Sequence, residues 1–94
     1  MKGIPVKRLN KLVSELREKG FWAERHSYSI RVMNKEVFVA SLHLYPGFNE
    51  AVLRLIDASS NSASVIADTI EGVLRKHLPE YTVRRVFLKP ALTV

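Results

Sequence analysis

Trp22, Arg31 and Phe38 carry the clearest chemistry in this chain of 94 residues. Two aromatic rings and a guanidinium on one β-sheet face suit stacked nucleobases and phosphate, or contact with a protein partner. The expectation that they meet rests on strand arithmetic. If residues 21–26, 28–33 and 36–45 are consecutive antiparallel strands, side chains alternate faces and tight turns fix which residues lie opposite. A turn at Asn34-Lys35 sets Arg31 beside Phe38, and one at His26-Ser27 sets Trp22 beside Arg31. Rings and arginines alternate through residues 21–31, which adds Arg25 and Tyr28 to the candidate binding set. Met33 and Lys35 lie close by in sequence, and Arg84, with Arg85 and Lys89, extends a basic border from the last strand.

Other chemistries lack their residues. His26, His43 and His77 are widely separated and there is no cysteine, so metal-ligand spacing is missing and no thiol nucleophile exists. His77 falls on the inner stripe of a helix, where a satisfied core or cap residue is expected. The glycines at 3, 20, 47 and 72 build no phosphate loop. Asp68 and Glu71, three residues apart, are expected to solvate a helix rather than act as an acid–base pair. The chain is therefore not expected to be an enzyme or to carry a cofactor. Duplex reading is disfavoured as well, because the second helix exposes mainly Asp68, Thr69, Glu71, Arg75 and Lys76.

Composition bounds the partners. Fifteen Lys and Arg against nine Asp and Glu give a formal charge of +6, which favours anionic partners. Residues 1–20 hold six positive and two negative side chains, and residues 75–94 hold five and one. Residues 46–74 run the other way, with Glu50, Asp57, Asp68 and Glu71 against Arg54. No stretch approaches the roughly 18 apolar residues of a membrane span, so a cytoplasmic protein with no membrane partner is expected. Missing Cys and Gln and only two Met lean toward a thermophilic source.

The positioning elements follow from periodicity within a single domain, 1–94, whose core spans about residues 5–89. Residues 5–19 read as an amphipathic helix with Val6, Leu9, Leu12, Val13 and Leu16 inward, Pro5 in its first turn and Gly20 as its stop. Lys11, Glu15 and Lys19, four apart, are expected to support that helix on its own surface. The period then changes to two, predicting a meander of three to four antiparallel strands. One face takes Phe21, Ala23, Arg25, Tyr28, Ile30, Val32, Val37 and Val39. The other takes Trp22, Glu24, His26, Ser29, Arg31, Met33, Phe38, Ala40, Leu42 and Leu44. Residues 50–57 suit a fourth strand better than a short helix. Residues 64–78 predict a second helix with Ile66, Ile70, Val73, Leu74 and His77 inward, and residues 81–88 a final strand. Gly72 inside that helix either permits close approach to the sheet or is merely tolerated. Residues 90–94 read as a flexible or intersubunit tail. The fold class is α+β, one sheet with two helices packed on one face. Either choice of covered face leaves an apolar excess on the other, which marks an interaction surface.

This order of helix, meander and helix, with aromatic and basic residues on the sheet, resembles the ThermoDBP-related archaeal single-stranded DNA-binding proteins over roughly residues 5–88. The resemblance implies a hydrophobic cleft bordered by basic residues, single-stranded DNA or RNA as ligand, and a homo-oligomer. Trp22, Arg31 and Phe38, with Tyr28 and Arg25, are the residues that fit such a cleft. The long C-terminal dimerisation segment of better-known members is missing. Double-stranded RNA-binding domains share a helix, three strands and helix, but 61–65 lacks their basic start to the second helix. The expected function is single-stranded nucleic-acid binding without strong sequence preference; the alternative is a homo-oligomerising protein-interaction module that uses the apolar face.

Overall fold

The computed structural model describes residues 3–56 and 61–88. Helix α1 (Val6–Glu18) leads into strands β1 (Trp22–His26), β2 (Ser29–Asn34) and β3 (Val37–Tyr45). A 3₁₀ turn (Pro46–Phe48) connects to β4 (Glu50–Ile56), and helix α2 (Asn61–His77) precedes β5 (Thr82–Leu88). The five strands form one sheet in sequential order. β1 to β4 are an antiparallel meander, and β5 returns through α2 to lie parallel to β4. The class is α+β, as expected, and residues 50–56 are a strand. No described helix is long and apolar enough to cross a membrane.

α1 is defined at both ends by backbone geometry. Pro5, at φ −58° and ψ 141°, is its N-cap, and the Pro5 carbonyl accepts the N–H groups of Arg8 and Leu9. At the other end the Phe21 N–H reaches the Leu16 carbonyl and the Gly20 N–H reaches Arg17, a Schellman closure. Gly20 has φ +101°, which a residue with a Cβ adopts only at a cost. Leu9, Leu12, Val13 and Leu16 are the buried stripe, whereas Val6, expected among them, is exposed.

Both helices cover the same sheet face. Ala23, Ile30, Val32, Leu42, Leu44, Leu53 and Leu55 join the α1 stripe and Ala67, Ile70, Val73 and Leu74 of α2 in one buried cluster. Ala40, Leu42 and Leu44 thereby depart from expectation, which had them beside Trp22 and Phe38. The reason is a β-bulge. Val32 pairs with Ala40 but Met33 pairs with Phe38, so Val39 has no partner in β2 and the alternation of β3 resets there. Beyond it Ala40, Leu42 and Leu44 point to the helices while Phe38 keeps to the open side.

The hairpin turns also fall one residue later than expected. His26 pairs with Ser29 and Asn34 with Val37, leaving Ser27-Tyr28 and Lys35-Glu36 as the turn residues. Ser27, Lys35 and Glu36 all have positive φ, the left-handed backbone that two-residue hairpins demand. The shift changes every cross-strand neighbour: Trp22 faces Met33, and Arg31 faces Glu24 on one side and Ser41 on the other.

α2 begins three residues earlier than the periodicity suggested, and its buried residues run from Ala63 to Val73 and Leu74, with Ile66 and His77 half-buried. The tail at 90–94 lies outside the described residues. Gly72 is exposed, and a methyl group added there would meet nothing within 4 Å. It permits no close approach to the sheet and only weakens the helix. Gly72→Ala is therefore expected to stabilise the protein by about 1 kcal/mol, read as a higher denaturant midpoint at unchanged slope.

Candidate nucleic-acid interface

The open face is organised in rows set by strand register. Trp22, Met33 and Phe38 form the first row, beside the Lys35-Glu36 turn. Glu24, Arg31, Ser41, Arg54 and Val86 form the second; His26, Ser29, His43, Val52 and Arg84 the third. Tyr45, Glu50 and Thr82 complete the face at its far end. Trp22, Arg31 and Phe38 all lie on the face that the helices leave uncovered, with Trp22 52% and Phe38 39% exposed.

They are not stacked in the expected sequence, however. Arg31 does not stand between the two rings. Its guanidinium carbon lies 5.9 Å from the Phe38 centroid, and Met33 fills the space toward Trp22, so Arg31, Met33 and Phe38 line a small hollow. Trp22 has a different cation. Arg17, from the last turn of α1, reaches around the free edge of β1 and holds its guanidinium 4.6 Å from the Trp22 ring centroid. The same group donates through Nε and Nη2 to the Ala23 carbonyl, at 3.2 and 2.8 Å. The Trp22 Nε1–H donates to Glu24 at 3.0 Å. The indole is thus fixed in orientation while one of its faces stays open.

Two expected site residues lie elsewhere. Arg25 alternates to the helix-covered side, where it shares a surface hollow with Asn10, Val13, Ser14 and Arg17 and donates to the Ser27 carbonyl at 3.0 Å. Tyr28 occupies a hairpin turn and packs half-buried against the core, near Gly3, at the opposite end of the sheet from Trp22. Met33 is in the first row, Lys35 is exposed at the turn next to it, and Arg84 is on the open face. Arg17 was the residue sequence reasoning missed. Its cue was the short connection through Gly20, which lays the last helical turn against the start of β1.

The cations divide by partner. Arg8 pairs with Glu80 and also donates to the His77 carbonyl; Lys76 and His77 of α2 both meet Glu15 of α1. Glu15 therefore ties the helices together, in place of the expected pairing with Lys11 and Lys19. Arg85 lies on the helix side, bonded to Asp68 and Glu71 at 2.8 Å each, so both carboxylates tie α2 to β5, Glu71 largely covered and Asp68 still exposed to solvent as expected. Arg31, Arg54 and Arg84 of the open face make no hydrogen bond or ion pair among the described residues. Lys89 lies outside them. Arg31, Arg54 and Arg84 leave positive charge beside the exposed rings, while Lys7, Lys11 and Lys19 of the α1 end and Arg25 on the helix side likewise have no ion pair among the described residues.

Among the described residues no group of three or more acidic or histidine side chains is placed to hold a metal ion. No family model, curated protein or solved structure matches the chain significantly. What the face can do must be read from its own geometry. It offers rings with free faces and guanidinium groups with unused donors, beside a hollow of about 350 Å³ that Phe38 lines with Val39, Ile56 and Ile66 at the end of the sheet. A flat, anionic, extended ligand has the shape and charge that such a face can accept.

The ion pairs behind the sheet give a pH dependence. Burial would raise the Glu71 carboxyl, but hydrogen bonds from Arg75 and Arg85 outweigh it and hold the group below its ordinary value of 4.5. Glu15 is lowered by Lys76 and His77, and Glu80 chiefly by Arg8. A depressed folded value contributes stability above the unfolded value and loses it as pH falls through the folded one. The melting temperature is expected to decline below about pH 4.5. Glu71→Gln should lower it at neutral pH and shallow that acid decline, as thermal melts across a pH series would report.

Proposed function

We propose that this chain binds single-stranded nucleic acid, DNA in the first instance, without strong sequence preference. The observation that carries this reading is the uncovered sheet face, where two exposed rings each have a guanidinium beside them and Arg31, Arg54 and Arg84 have no ion pair among the described residues. Trp22 and Phe38 stack bases, an interaction worth roughly 1–3 kcal/mol per base and indifferent to base identity. Arg31, Arg54 and Arg84, with Lys35 at the margin, serve the phosphates. Arg17 supports the site by holding the indole, while Arg25, expected in the binding set, lies on the helix-covered side. The likeness to ThermoDBP-related archaeal proteins, with their cytoplasmic and thermophilic setting, belongs to this same reading.

One observation favours self-association as a companion property. The two sheet edges differ: Arg17 occupies the Ala23 carbonyl on β1, whereas β5 ends in exposed Phe87 and Leu88 beside exposed Ile56. An open edge bearing apolar side chains is a template for pairing with a second copy. A homo-oligomer joined there would extend the binding face rather than cover it.

Titration with oligo-dT should quench the fluorescence of Trp22, and the affinity should fall as salt rises because counterions are released. By anisotropy of a labelled oligonucleotide, Trp22→Ala and Phe38→Ala should each weaken binding by roughly 5- to 150-fold, the equivalent of one lost stack. Arg31→Ala should reduce the salt slope by about one. Absence of both quenching and retardation at low salt would sink the reading. Unchanged oligo-dT affinity in Trp22→Ala, with loss of oligomer mass on size exclusion, would favour a protein-interaction module instead.

A further inference from the structure

The open face has a second aromatic cluster, at the end remote from Trp22. His43 and Tyr45 alternate outward along β3 with ring centroids 5.1 Å apart and planes inclined by 33°. Phe48 projects from the 3₁₀ turn and at 83% is the most exposed large apolar side chain among the described residues. Together with His26, Ser29 and Pro46 these rings line an open hollow of about 370 Å³. Ser29 Oγ lies 2.8 Å from His43 Nδ1, which fixes the imidazole plane. A phenylalanine held outward by a proline-containing turn contributes nothing to the core, so its apolar surface is available to a ligand.

The unpaired cations lie between the two clusters. Arg31 and Arg54 occupy the second row and Arg84 the third, with Trp22 and Phe38 on one side and Tyr45 and Phe48 on the other. Among the described strand residues of this face the carboxylates are Glu24, which accepts the Trp22 indole N–H, and Glu50, which stands opposite Tyr45 at the far margin. The path between the ring clusters, along Ser41 and His43 of β3, is thus flanked by Arg31, Arg54 and Arg84.

We propose that the hollow of His43, Tyr45 and Phe48 is a second base-stacking subsite, and that one single strand runs along β3 between the two clusters with its phosphates over the arginines. This rests on the nucleic-acid reading of the face. From Phe38 to Tyr45, with the bulged residue discounted, β3 advances roughly 20 Å. A stretched strand advances about twice the 3.4 Å of a stacked base, so about three to four nucleotides bridge the clusters. The shortest ligand that engages both ends is thus about a tetranucleotide.

The test is a length series, dT2 to dT8, read through quenching of Trp22 at the end remote from Phe48. Wild-type affinity should climb steeply to about four nucleotides and then rise only slowly. Phe48→Ala should weaken dT6 about tenfold, leave dT2 within about twofold, and leave the melting temperature unchanged, since the side chain is outside the core. Equal dT6 affinity of wild type and Phe48→Ala would overturn the subsite while leaving the Trp22 and Phe38 site standing. Loss of self-association in Phe48→Ala at unchanged dT6 affinity would assign Phe48 to a protein contact and overturn it equally. Failure of the wild-type protein to bind any of these oligonucleotides would remove both readings together.

Discussion

One unpaired residue in β3, Val39, decides what the open face contains. Side chains alternate strictly along a strand, so in an unbroken β3 Phe38 would share a face with Ala40, Leu42 and Leu44. Those three are fully or almost fully buried, and the core is built on them. Either Phe38 would be drawn under the helices or the leucines would be turned out to water. The bulge removes the conflict by resetting the alternation for a single residue, which leaves Val39 half-buried against the core and Phe38 opposite Met33. It also stands next to the hairpin turn, where extra twist is easily absorbed.

The same irregularity explains why the sequence conveyed the elements better than the site. Helices and strands were legible because long periodic runs such as Leu9, Leu12, Val13 and Leu16 admit few alternatives. A bulge has no compositional mark when the extra residue is a valine among valines. The turns misled for a related reason: Asn34 is the usual resident of a tight turn, yet the positive φ values fall on Lys35 and Glu36, which side chains of that kind seldom adopt. Each error of one residue exchanged cross-strand neighbours, so Arg31 was expected between Trp22 and Phe38 where Met33 stands. The open face itself could not be chosen from sequence, because both faces looked apolar until the bulge moved Ala40, Leu42 and Leu44 to one of them.

Net charge proved a poorer guide than charge pairing. The basic ends of the chain supply Arg8, Lys76 and Arg85, and the structure spends these on Glu80, Glu15, Asp68 and Glu71, holding α1 to α2 and α2 to β5. The acidic middle stretch supplies Arg54, which has no ion pair among the described residues and stands on the open face. A count by segment therefore assigned basic character to residues whose charge is neutralised locally. What a polyanion would meet is the remainder, and that remainder is set by tertiary pairing.

Arg17 links the architecture to the proposed function most directly. It lies in the turn of α1 that Gly20 closes, its side chain occupies a carbonyl on the free edge of β1, and its guanidinium covers one face of Trp22. The edge seal and the ring contact come from one group, so neither can be changed alone. With one face of the indole taken, Trp22 has room for a single base and not for insertion between two. A residue so restricted suits the end of a stacking path better than its middle. The sheet offers a continuation in only one direction, since Trp22 sits on the edge strand and in the row beside the Lys35-Glu36 turn, and that direction leads across the unpaired arginines toward Tyr45 and Phe48.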